Sequence, residues 1–168
     1  MALASSSLPA GFALYAFEAL DGPMLYAIMA LRQRVFVVEQ QCIFQDADGQ
    51  DAHALHLVHV PPGATDPDAY LRLFLPRSDA DQPRHVVIGR VLTAPEVRGT
   101  GLGHRLVAVA LDLVAKLAPG VDVHIAAQAH LDVWYAQHGF VVTSAPYLED
   151  DIPHVDMVLR ADRAPDLS

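Results

Sequence analysis

The sequence has a single cysteine, Cys42, which excludes an internal disulfide framework and suits a reducing compartment. Cys42 is read first as a small buried hydrophobe, with a reactive thiol as the alternative. No apolar run is long enough to span a bilayer, and residues 1–10 lack the positive start and sustained apolar core of a signal peptide. The expected location is the cytoplasm, with no membrane partner. Basic side chains are scarce: 11 Lys and Arg stand against 20 Asp and Glu, for a net charge of −9. No basic run offers the field that a nucleic-acid backbone requires, so nucleic acid is excluded as a general partner and a cationic one is favoured. Apolar side chain is abundant, 52% of 168 residues, enough for one substantial core. The chain 1–168 reads as one α/β domain with tails at 1–11 and 162–168, without repeats or low-complexity blocks.

The organising stretch runs from Val86 to Leu106. Val86–Leu92 is a short β-branched run ended by Pro95, and beyond Leu102 the apolar positions Leu106, Val109, Ala110, Leu113, Val114 and Leu117 follow helical spacing. Between strand and helix lie Arg98, Gly99, Thr100, Gly101, Leu102, Gly103 and His104. Three glycines let the backbone turn with its N–H groups inward, and a helix opening at Gly101 adds unpaired donors and the positive end of its dipole. That pattern makes an anion cradle suited to a phosphate or diphosphate.

Spacing narrows the choice. A P-loop needs Gly-Lys-Ser/Thr at the helix start, whereas Gly103 is followed by His104 and Arg105. A dinucleotide fingerprint needs GxGxxG, normally in an early βαβ unit, and this run is GxGxG in mid-chain. A strand over Val121–Ala127 follows the long helix, which stops at Pro119-Gly120, so the order is βαβ with parallel strands.

The rest of the chain supplies candidate elements around this unit. Phe12–Ala16 reads as a strand, and Asp21-Gly22-Pro23 opens a helix running towards Val38. Asp46, Asp48 and Asp51 lack the order of a calcium loop and read as a solvated acidic turn. Leu55–Val60 and Tyr70–Leu75 form a strand pair, and Arg77–Arg84 reads as a polar loop. His56 and His59 would point to opposite faces of their strand, which with His53 alone gives no metal site. A short helix from His130 to His138 ends at Gly139. Phe140–Thr143 and His154–Arg160 can close as a hairpin around the acidic loop Glu149-Asp150-Asp151.

The order Arg98-x-x-Gly101-x-Gly103 resembles the acetyl-CoA signature of the GNAT acetyltransferase superfamily, and Tyr135-x-x-x-Gly139-Phe140 resembles a second GNAT segment. Leu31–Cys42 with Gln45–Gly49 is similar to the ElaA-type branch, and Arg32-x-x-Val35-Phe36 is more distantly similar to acyl-homoserine lactone synthases. The resemblance covers roughly Leu25 to Leu159. It implies a GNAT-like mixed, strongly bent β-sheet flanked by helices, with acetyl-CoA as co-substrate, no metal, and a small-molecule or peptide amine as acceptor.

By that resemblance the amides from Gly99 to His104 would hold the CoA diphosphate with Arg98 alongside, Arg105 and Arg90 adding positive potential. Val91, Leu92 and Thr93 would meet the pantetheine arm as an added strand. Tyr135 would be the acid beside the thioester sulfur, and Glu39, His130 and His154 are candidate bases, Glu39 first. A homodimer through the closing strands, a non-catalytic CoA-binding module and an acyl-homoserine-lactone-synthase-like transferase stay open as alternatives; a nucleotide switch is disfavoured by the missing P-loop residues.

Overall fold

The computed structural model describes residues 8–76 and 84–163. The expectations for 1–7, 164–168 and most of the Arg77–Arg84 loop lie outside the described residues. Eight strands form a mixed sheet in the order β1-β2-β3-β4-β5-β8-β6, with β7 also paired to β8. Contacts within the chain gather into two compact units, one built from residues 8–74 and 90–110, the other from 75–76, 84–89 and 111–163.

In the first unit, alternating apolar positions make β1 (Phe12–Ala16), β2 (Leu55–His59) and β3 (Ala69–Phe74) antiparallel neighbours. Leu14 lies opposite Leu57, and Leu57 opposite Leu71, all three buried. Helix α1 (Gly22–Arg32) starts where the sequence places it: Met24 N donates to Asp21 Oδ1 at 2.8 Å, and Pro23 sits in the first turn. It does not continue as an α-helix to Val38. Residues Gln33–Glu39 widen into π-helical turns, with Gln40 N donating to Val35 O at 3.2 Å. Val35, Val37 and Val38 are β-branched and crowd the preceding turn of an α-helix. The wider turn keeps Val35 in the core beside Ile28, Leu31, Val58, Tyr70, Leu92 and Ala94, and leaves Glu39 at the surface.

The acidic turn at 46–51 is not solvated as its composition suggested. Arg32 is fully buried, and its Nε donates to Asp46 Oδ2 and its Nη1 to Asp51 Oδ1, both at 2.7 Å. Arg72 of β3, also buried, donates to Asp51 Oδ1 at 3.0 Å and pairs with Asp48. Arg90 donates to Asp46 Oδ1 at 2.7 Å. Three arginines from α1, β3 and β4 (Val86–Thr93) thus converge on three aspartates of one loop. The loop is required because the guanidinium of Arg32, inside the core, has no solvent to stabilise its charge. The same loop closes a buried chain: His56 Nε2 donates to Asp51 O at 3.0 Å, and the Tyr70 hydroxyl donates to His56 Nδ1 at 2.7 Å. Burial pushes the His56 pKa down, which keeps the ring neutral in that role.

Arg90 also marks a break in β4, since its φ of 54° is left-handed in a strand and for a residue with a side chain. The carboxylates of Asp46 and Asp48 hold the side chain that this conformation re-aims. Arg90, expected to lend positive potential to a CoA site, is here paired with the carboxylates of the acidic loop.

In the second unit, the first residues of β4 run parallel to β5 (Val123–Gln128), Val86 opposite Val123 and Val87 opposite His124, as the βαβ reading requires. Helix α2 (Leu102–Leu117), whose residues from Leu111 onward belong to this unit, ends before Gly120 at φ 74°. Strand β8 (Ile152–Leu159) lies antiparallel to β5 along its length. The expected closing pair forms between β6 (Val141–Val142) and β8, but a strand that the sequence did not suggest, β7 (Tyr147–Glu149), pairs with the start of β8 as well. Asp150 and Asp151, at φ 52° and 63°, make the two-residue turn between β7 and β8, a conformation that aspartate tolerates.

Two stability predictions follow from the acidic loop. Asp46→Ala removes one of the two carboxylates that hold the buried Arg32 and the one that holds Arg90 Nε, and is expected to lower unfolding free energy by about 3 kcal/mol, read as a drop in the urea midpoint; an unchanged midpoint would contradict the network's role. The Asp48 carboxyl is held below its ordinary pKa by its hydrogen bond from Arg72, and Asp51 is lowered because bonds from Arg32 and Arg72 outweigh its burial. Folding therefore binds fewer protons than the unfolded chain. This contribution is fully present above about pH 4 and falls away as pH drops through the lowered native pKa values. Thermal melts should lose midpoint steadily below pH 4, and the loss should shrink in Arg72→Gln.

Candidate functional site

The glycine turn lies between the end of β4 and α2. Val97 N donates to Ala94 O at 3.1 Å, which closes a short 3-10 turn, and the chain then passes through Gly99 at φ 77° and Gly101 at φ 84°. Both angles are in the left-handed region, so each position is strained for any other residue. A Cβ built on either glycine meets no heavy atom within 4 Å, so the turn faces open space. Arg105 N donates to Gly101 O at 3.1 Å, which starts α2 there. The first-turn amides of Leu102 and Gly103 have no acceptor inside the helix, and the dipole of a 16-residue helix adds to them. An open turn at a helix start is the kind of place where backbone donors can meet an anion. Leu102 is buried and anchors the helix start, while Gly99, Thr100 and Gly101 are exposed and His104 is half-buried. Within β4, Leu92 is buried, and Val91 and Thr93 are half-buried.

Arg98 precedes the turn as expected, but its charge is already engaged. Its Nη1 donates to Glu39 Oε1 at 2.6 Å and its Nη2 to Glu39 Oε2 at 2.9 Å, an end-on bidentate pair. Glu39 stands at the end of the π-helical stretch, so the widening of that helix sets where its carboxylate meets the turn. The hydrogen bond from Arg98 holds the Glu39 carboxyl below its ordinary pKa and makes it a weaker base than an isolated glutamate. Beside this pair Arg34 pairs with Glu96. Neither Arg34 nor Glu96 was identifiable as part of the site from sequence; they are 62 residues apart, and no motif links them.

The other candidates belong to the second unit. Tyr135 on α3 (Asp132–Ala136) is 7% exposed, edge-on to Trp134 and to Phe140 with ring centroids at 4.8 and 5.9 Å. Burial pushes its phenol pKa above the ordinary value, so it carries its proton at neutral pH. His154 lies on β8 opposite Gln128, the last residue of β5, and its Nδ1 donates to Ile152 O at 2.8 Å. Because Ile152 O can only accept, Nδ1 carries a proton in this contact, which leaves Nε2 as the nitrogen that could act as a base. Tyr147 of β7 lies near-parallel to the His154 ring at 6.3 Å, a neighbour that the sequence did not suggest. His130 is exposed in the short turn before α3. His56 and His59 are each tied to their own partners, Tyr70 and Asp68. Among the described residues no group of three or more side chains is placed to hold a metal ion, and no helix is long and apolar enough to cross a membrane.

Residues 79–161 match the model of an acetyltransferase (GNAT) domain. A UPF0039 protein of Synechocystis is 39% identical over 147 residues, 86% of this chain and 91% of its own. The chain belongs to the GNAT acetyltransferase family. Within it, the crystal structure of Escherichia coli ElaA is similar with a TM-score of 0.78 at 34% identity, covering 88% of this chain and 97% of that one. An acyl-CoA N-acyltransferase from Pseudomonas aeruginosa gives the same TM-score and coverage at 41% identity. A CoA-dependent acyl-homoserine lactone synthase reaches a TM-score of 0.69 at 17% identity, a likeness of GNAT fold alone. The ElaA-type resemblance of the π-helical stretch and the GNAT resemblance of the glycine turn therefore rest on one family, and the fold is the GNAT α/β sheet flanked by helices.

Proposed function

We propose that this chain moves an acetyl or short acyl group from acetyl-CoA to the nitrogen of a small-molecule or peptide amine, by direct attack through a tetrahedral intermediate. The observation that carries the proposal is the open left-handed turn at Gly99 and Gly101 feeding the start of α2, an arrangement whose helix-start donors suit an anion. The amides of Gly99 to His104 bind the diphosphate. Val91, Leu92 and Thr93 take the pantetheine arm along β4 and offer an N–H to the oxyanion as it forms.

The chemistry then requires a neutral amine and a protonated leaving group. An alkylammonium titrates near ~10.4, so about one molecule in two thousand is neutral at pH 7. His154, whose Nδ1 donates to Ile152 O, accepts the amine's proton at Nε2. The Glu39 carboxylate attracts the amine as a cation before it reacts. Tyr135 keeps its proton at neutral pH and gives a hydrogen bond to the departing thiolate, which the C–S bond cleavage leaves with an electron pair.

Release of the CoA thiol from acetyl-CoA in the presence of a panel of amines tests this reading. Tyr135→Phe should lower kcat by about a hundredfold while acetyl-CoA affinity is kept; unchanged turnover would remove Tyr135 from the mechanism. Acetyl-CoA binding with no amine-dependent thiol release by the native chain would instead make it a non-catalytic CoA-binding module.

A further inference from the structure

Arg98 is placed for two partners whose charges oppose each other. It stands directly before the turn that receives the diphosphate, yet both its terminal nitrogens are given to Glu39 at 2.6 and 2.9 Å. The pair is exposed, with 44% of the Arg98 side chain and 38% of the Glu39 side chain open to solvent, so it is weak and easily opened. Glu96 adds a further negative charge close by, and it influences both members of the pair. A diphosphate entering the turn brings two or more negative charges to a guanidinium that Glu39 already neutralises. Arginine binds phosphate oxygens in the same bidentate geometry it uses for a carboxylate.

From this geometry we infer that the CoA diphosphate displaces Glu39 from Arg98, so that acyl-CoA binding itself unmasks the Glu39 carboxylate for a cationic amine. The inference rests on the acyltransferase reading above and adds to it how the acceptor site is switched on. Before CoA binds, Glu39 is neutralised and offers an ammonium group little attraction. After the exchange Arg98 faces phosphate, and Arg34, though it acts on Glu39 through space, is hydrogen-bonded to Glu96, so Glu39 loses its bidentate partner and gains net negative character. The acceptor is thereby drawn to a site that already contains the acyl donor, and by linkage a bound ammonium tightens CoA in turn.

Calorimetric titration with CoA of the native chain, Glu39→Gln, Arg98→Gln and the double variant tests the exchange. Glu39→Gln removes the competitor for Arg98 and should bind CoA about two- to fivefold more tightly than the native chain, the range that an exposed ion pair can supply. The gain should vanish in the Arg98→Gln background, where there is no pair to open. A merely structural role for Glu39 would weaken CoA binding or leave it unchanged, never tighten it. Equal or weaker binding by Glu39→Gln would overturn the exchange while leaving the acyltransferase reading intact. Absence of CoA binding in all four chains would overturn that reading and the exchange with it.

Discussion

The buried guanidinium of Arg32 is the constraint on which the first unit depends. A charge with no exposure to solvent must find carboxylates, and the only route the chain takes is to fold the loop from Asp46 to Asp51 back over the end of α1. Once there, the loop has carboxylate oxygens left over, and these collect Arg72 from β3 and Arg90 from β4. One buried charge thus ties a helix, a loop and two strands together. It also holds Arg90 in its left-handed conformation, which sets the course of β4 into Val91, Leu92 and Thr93, the residues proposed to meet the pantetheine arm.

An acidic chain proposed to bind an anion meets an electrostatic difficulty, and the structure shows which of its arginines are already paired. Arg32, Arg34, Arg72, Arg90 and Arg98 each face carboxylates. The donors nearest the glycine turn are its backbone amides, the dipole of α2 and the exposed Arg105, with Arg98 available only by exchange. Backbone donors carry no net charge, so a net charge of −9 need not prevent them from holding a phosphate at close range. In the proposed reaction this would separate the two halves, with the main chain holding the anion and Glu39 drawing the cation.

Much of this was legible in the sequence because it depends on local rules. Glycines at fixed spacing before a helix, an Asp-Gly-Pro helix start and a βαβ hydrophobic pattern are short-range features, and the structure has Gly99, Gly101, Asp21 and the β4-α2-β5 unit in those roles. What failed depends on contacts between residues far apart in the chain. Asp46, Asp48 and Asp51 read as a solvated turn because nothing near them in sequence announces Arg32, Arg72 and Arg90. The widening at Gln33–Glu39 was hidden because helical periodicity does not distinguish an α-turn from a π-turn over seven residues. The pairing of Arg98 with Glu39, 59 residues apart, was likewise beyond any motif, although both residues were singled out separately. Strand β7 was missed because three exposed residues, Tyr147, Leu148 and Glu149, carry no burial alternation.

The central claim is that the turn at Gly99–His104 holds the diphosphate of acetyl-CoA. Calorimetric titration of the native chain with acetyl-CoA, beside a Gly101→Glu variant shown by circular dichroism to be folded, tests it most directly. The carboxylate at 101 would project into the open space that the phosphates require. The account predicts binding by the native chain and its loss in the variant. No binding by the native chain, or equal binding by both, would contradict it.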